Sequence, residues 1–159
     1  MQTLFNNYSS IIVFLHVISA VLWVGGMIAI RFAIHYSIQD IQEPKIKLER
    51  TLENLRRFFN MVIPAILIIL LTAIIMIISL NLKQSSLHSI AIAKESIWTI
   101  MTIVFITIYT KRNKAQKYFE NNDFDNCKKQ LAPIAKYFIP LNILLGVIAI
   151  YLGVTLRGF

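Results

Sequence analysis

The chain is short of nearly everything that marks a soluble enzyme. Across 159 residues it has a single cysteine, Cys127, with no Cys-x-x-Cys pair, no histidine-rich tail and no clustered Met-x-x-Met. One thiol cannot close an intramolecular disulfide, and without a second cysteine nearby Cys127 reads as an ordinary free thiol. No catalytic triad, phosphate-binding glycine loop or paired carboxylate site is visible, so the familiar machinery of hydrolysis and nucleotide binding is missing. Low-complexity stretches, Gly/Ser linkers and clear internal repeats are absent too, which leaves no sign of a second domain. Charge is scarce: 15% of residues are charged against 57% hydrophobic. Those charges fall in a few clusters instead of spreading over a surface, as a soluble fold requires.

What is present is long apolar runs. About 20 apolar residues cross a bilayer core, and four segments meet that test: residues 10–34, 58–80, 89–110 and 137–156. The expected fold is all-α, a polytopic membrane protein built as a single four-transmembrane-helix bundle over residues 1–159. The N-terminus lacks the basic leader and small-residue cleavage site of a secretory signal, so the first helix is expected to be retained. Between the spans, Pro44 suits the first turn of a helix. Leu48, Leu52, Leu55 and Phe59 then recur at helical spacing beside charged residues, which predicts a short amphipathic extension running into the second span. Asp123 or Asp125 is placed to cap a similar extension before the fourth. Pro64 and Pro140 mark expected bends.

The net charge of +8 does not point to nucleic acid, because the basic residues flank helix ends. Lys45, Lys47, Arg50, Arg56 and Arg57 follow the first span, and Lys111, Arg112, Lys114, Lys117, Lys128, Lys129 and Lys136 follow the third. The second connection holds only Lys83, near its start, and the N-terminal tail has none. The positive-inside rule therefore predicts both basic connections in the cytoplasm and both termini on the outer, periplasmic side, and an anionic-lipid or nucleic-acid patch is the alternative reading of these runs.

The chemistry-bearing residues lie inside the apolar runs. An ionisable ring in hydrocarbon is costly without a partner, which makes His16 a functional candidate. At about 100° per residue, His16, Ala20, Trp23 and Met27 share one face of the first helix. That face is expected to point inward, with Ile12, Val17, Val21, Val24 and Ile28 offered to the lipid. Arg31 and His35 fall near the cytoplasmic boundary, where they are placed to snorkel. In the third span Lys94 and Glu95 project about 100° apart and neutralise each other poorly. Lys94, Trp98, Met101 and Phe105 form its expected inward stripe. In the fourth, Asn142, Gly146 and Gly153 share a stripe on which a neighbouring helix can approach closely.

On the expected topology, His16 and Lys94 occupy a similar depth in the outer half, with Met76 near the outer end of the second span. Imidazole is a common ligand for metals and haem iron, a thioether for Cu(I) or iron, and an ammonium pairs a haem propionate or a quinone oxygen. His16, Trp23 and Lys94 are thus candidate cofactor-binding residues, and His16, Met76 and His88 candidate metal ligands. The alternative reading is purely structural, with His16 bonded to a neighbouring helix and Lys94 pairing Glu95 through the bundle.

The run LHVISAVLWVGGM from Leu15 to Met27, the Glu43-Pro44 pair, RRFF from Arg56 to Phe59 and PLNILLGVIAIYLG from Pro140 to Gly153 together resemble the CopD-like (copper resistance D) family of bacterial inner-membrane proteins. The resemblance covers nearly the whole chain. It implies a four-helix core in the bacterial inner membrane and copper uptake or delivery, with His16, Trp23, Gly25, Gly26 and Asn142 matching the family pattern and His16 as the plausible ligand among them. Many relatives carry histidines in the third span, whereas here only His88, at its mouth, could take that place. A more distant resemblance is to the HemJ-type protoporphyrinogen oxidases, whose first-span histidine and tryptophan and third-span lysine match His16, Trp23 and Lys94. That family's Pro-Arg and Tyr-His ending is only loosely matched by Ile30, Arg31, His35 and Tyr36. The resemblances imply copper or, in the alternative, haem b as cofactor. They leave open an oxidoreductase and a non-catalytic assembly subunit. The partners expected are the lipid bilayer and, beyond it, a homo-oligomer or a periplasmic metal or redox protein, with no nucleic acid.

Overall fold

The computed structural model describes residues 2–79 and 88–155, with side chains from Asn7 onward. Lys83 and the rest of the connection between the second and third spans, and the last residues of the spans expected at 58–80 and 137–156, lie outside the described residues. Among those described there is no strand. The chain runs as α1 (Gln2–Ala29), a π-helical turn (Ile30–Ile34), α2 (His35–Gln39), α3 (Pro44–Ser79), α4 (His88–Glu120), α5 (Phe124–Pro133), a second π turn (Ile134–Phe138) and α6 (Ile139–Thr155). Four helical rods follow: α1 with α2, α3, α4, and α5 with α6. All four are long and apolar enough to cross a membrane.

A rod of 33 residues such as α4 is about 50 Å long at 1.5 Å per residue, well beyond a hydrocarbon core of about 30 Å. The surplus projects at the end that carries the basic connections, here called the basic end. There the amphipathic stripe expected in α3 is buried, with Leu52, Leu55 and Phe59 joining Ala115 of α4 and Cys127, Leu131 and Ile134 in an apolar core continuous with that around Trp23 and Met27. Asn122 turns α4 into α5. Its φ of 56° is the left-handed conformation that asparagine tolerates better than most residues. The amides of Asn122 and Asp123 reach back to the carbonyls of Phe119 (3.0 Å) and Tyr118 (2.9 Å), closing the helix end. Of the two aspartates that could cap α5, Asp123 does so: its carboxylate accepts from the Asn126 amide at 3.1 Å.

The middle of each rod inverts the soluble pattern. Leu71, Ile103, Leu144 and Tyr151 each show more than half of their surface, an arrangement that costs free energy in water and none in lipid. Inside, α1 packs on α3 and α6, while α4 packs on α3 and α6 from the other side, so α1 and α4 are diagonal partners. Trp23 fills the centre and meets Phe105 edge-on across that diagonal at 6.1 Å. Close approach depends on two glycines. A Cβ at Gly146 would lie 2.5 Å from Val24, and one at Gly26 would lie 2.7 Å from the Phe58 ring, whereas a Cβ at Gly25 would meet nothing.

Two expectations need correction. Ile12 and Val24, assigned to the lipid face of the first helix, are buried, at 7% and 5% exposure. The reason is that α1 is gripped by two neighbours, so its buried arc is wider than the His16 stripe alone. The second concerns backbone irregularity: Pro64 sits inside an α3 that runs unbroken from Pro44 to Ser79. At Pro140 the backbone does depart from α-helix, in the π turn Ile134–Phe138 just before it, while the π turn at Ile30–Ile34 contains no proline.

Candidate functional site

His16 lies mid-way along α1, half-buried against α3. Its Nδ1 is 2.8 Å from the Thr72 hydroxyl. That hydroxyl has one proton and two backbone carbonyls in reach, Ile68 at 2.6 Å and Ile69 at 3.1 Å. A threonine in an apolar helix returns its proton to the carbonyl one turn back, so Thr72 accepts from His16 Nδ1–H. The imidazole is thereby fixed as the tautomer with its lone pair on Nε2. A bond to the second nitrogen that sets the tautomer is the usual support of a ligating histidine. Thr72 carries a signal that sequence reading passed over: it is the one hydroxyl in the apolar stretch between Asn60 and Ser79.

Across the diagonal, half-buried Lys94 on α4 lies at the depth of His16, since Gly146 of α6 meets Val24 and Gly153, two turns further along α6, meets the Lys94 ammonium. Its stem runs over α6, where a Cβ at Gly153 would come within 3.0 Å of Nζ. Gly153 therefore makes room for the ammonium, a second feature that spacing alone did not reveal. The pairing of Lys94 with Glu95 that belongs to the purely structural alternative is not found among the described residues. Glu95 is exposed, and the ion pairs among the described residues are those of Glu53 with Arg56 and Arg57. An imidazole with a free lone pair and an ammonium with no counter-charge among the described residues thus share one region, remote from the basic end.

The other sequence-derived candidates are placed less closely. Met76 is half-buried on α3 one turn beyond Thr72, and His88 is exposed at the first residue of α4. Among the described residues no three His, Cys, Asp or Glu side chains gather as a metal centre would require. Trp23 is 1% exposed and two turns of α1 away from His16, in the core rather than beside the imidazole. Its indole Nε1, that of Trp98 and the Oδ1 of Asn142 are buried without hydrogen-bond partners, while the Asn142 amide donates to the Met101 carbonyl at 3.2 Å. Arg31 and His35 stay near the basic end, Arg31 stacked over Phe32 and Tyr36. Cys127 is fully buried, and burial, aided by the charge of Asp123, pushes its thiol pKa up, which suppresses the reactive thiolate.

No family model, no curated protein and no solved structure matches the chain.

Proposed function

We propose that this chain is a bacterial inner-membrane protein that binds haem b through His16, with Lys94 pairing a haem propionate. The observation that carries the reading is the Thr72 bond to His16 Nδ1, which leaves the Nε2 lone pair to hold the haem iron. Lys94 adds the second requirement. A cation in low dielectric without a counter-charge attracts an anionic group, and the room above Gly153 is where its ammonium lies. Bound there, haem would supply one-electron chemistry, while the chain's own residues hold the ligand nitrogen, balance the carboxylate and keep the site in the apolar bundle. Trp23 supports it from the core, as packing and not as a contact.

Copper handling, which the family resemblance implies first, has Met76 in its favour, a soft donor one turn from Thr72 on α3. A copper ion at His16 would sit in the repulsive field of Lys94, which pairs with no carboxylate among the described residues, and that places copper second. By the positive-inside rule the site lies in the periplasmic half of the membrane, with both basic connections in the cytoplasm.

The visible spectrum and metal content of protein purified from its own membranes in mild detergent test the proposal. A Soret band with iron is expected. Stoichiometric copper without haem would transfer the site to the copper reading. Neither cofactor, with His16→Ala leaving cell copper and respiration unchanged, would leave an assembly subunit whose polar residues serve helix association.

A further inference from the structure

The basic end has a feature that helix-end topology does not require. A groove of about 430 Å³ opens between α4 and α5, lined by Thr107, Thr110, Lys111, Asn113, Lys114 and Lys117 of α4, with Gln130 of α5 at its rim. Positive charges at the end of a span orient the chain wherever they point. Here three lysines converge on one concavity, and none of the three makes an ion pair among the described residues. The Asn113 side chain is oriented as well. Its Oδ1 accepts from Arg112 Nη1 at 3.3 Å, which leaves its amide N–H groups as donors. Arg112 itself is tied to the Leu52 carbonyl at 3.2 and 3.3 Å and so holds this arrangement in place.

Beyond the groove, the same face of α4 runs on into the expected span. Ile100, Ile103, Thr107, Thr110, Lys114 and Lys117 follow one another at spacings of three and four, a single stripe along α4. Its first two members are 47% and 59% exposed and fall within the expected span, and its last two lie beyond it. An apolar, lipid-facing track therefore leads directly into a cationic pocket at headgroup depth. A free phosphate ion would use only the pocket. A molecule with an anionic head and an acyl chain uses both.

We propose that this groove binds one anionic phospholipid of the leaflet at the basic end. Its phosphate is held by Lys111, Lys114 and Lys117 with the Asn113 amide, and one acyl chain lies along Ile103 and Ile100. The test is native mass spectrometry of the full chain in detergent, titrated with phosphatidylglycerol and, separately, with phosphatidylcholine. Phosphatidylglycerol is expected to be retained at one per chain and phosphatidylcholine to be lost. Lys114→Gln and Lys117→Gln, both at exposed positions where folding is not at stake, are each expected to weaken retention about fivefold, the factor that one lysine contributes at an anionic surface. Lys128→Gln with Lys129→Gln, which removes two charges outside the groove, is expected to leave retention unchanged, and glycerol 3-phosphate in excess is expected not to displace the lipid. Equal loss from the Lys128/Lys129 variant would show diffuse attraction instead of a site. Displacement by glycerol 3-phosphate would show a phosphate pocket without lipid specificity. Unaltered retention in the Lys114→Gln/Lys117→Gln double variant would remove the groove from the account altogether.

Discussion

The two ends of this bundle solve opposite problems. At the basic end, helices that have left the membrane meet water and bury an apolar core of Leu52, Leu55, Ala115, Cys127, Leu131 and Ile134. The polar groups around that core are tied down: Arg112 by the Leu52 carbonyl, Glu53 by two arginines and Asp123 by the start of α5. In the far half, His16 Nδ1 is held by Thr72, and Lys94 has room over Gly153 but no counter-charge among the described residues. Satisfied groups make structure, and unsatisfied ones in a low dielectric hold the capacity to bind. The difference assigns fold stability to the basic end, with lipid binding in its groove, and cofactor chemistry to the other.

Changes at the basic end should then cost stability and leave the cofactor alone, in decreasing order. Leu131→Ala opens a cavity in this core and is expected to cost about 3 kcal/mol, read by denaturant unfolding in detergent, with cofactor content unchanged. A loss of cofactor at equal stability would break the comparison. Arg112→Ala removes both bonds to Leu52 and the stem that packs beside them, for about 2 kcal/mol. Asp123→Ala removes the cap of α5 for about 1 kcal/mol, visible as a lower unfolding midpoint.

The smallest effect is electrostatic. The bonds from Arg56 and Arg57 hold the Glu53 carboxyl down from 4.5 to about 2. A depressed carboxylate stabilises the fold above its unfolded value and loses that contribution as pH falls through the folded one. The Glu53→Gln variant should therefore show a flatter melting temperature than the parent between pH 4.5 and 2, and the two should differ most above that window. Because Glu53 and its partners lie at the surface, salt should shrink the difference.

The four spans and the inward Trp23–Met27 face were legible because length and periodicity report burial directly. So was the extension of α3, since Leu52 and Leu55 mark its buried stripe. The burial of Val24 and Ile12 was not, because a helix gripped by two neighbours buries more than one stripe and no single-helix pattern records how many neighbours there are. Nor was the role of Thr72: it stands alone as a hydroxyl between Asn60 and Ser79, yet only the placing of α1 against α3 brings it to His16. Lys94 and Gly153 show the same limit. Their residue types were conspicuous 59 positions apart, and their meeting depends on α4 packing against α6. In each case local chemistry could be read from the chain, and the pairing came from helix packing.

The central claim is that His16 Nε2 is the ligand atom, and the most direct test is the visible spectrum of His16→Gly with and without added imidazole. The account predicts that the parent's Soret band disappears in His16→Gly and returns when imidazole takes the place of the lost ring. A band of full intensity in His16→Gly without imidazole would contradict it.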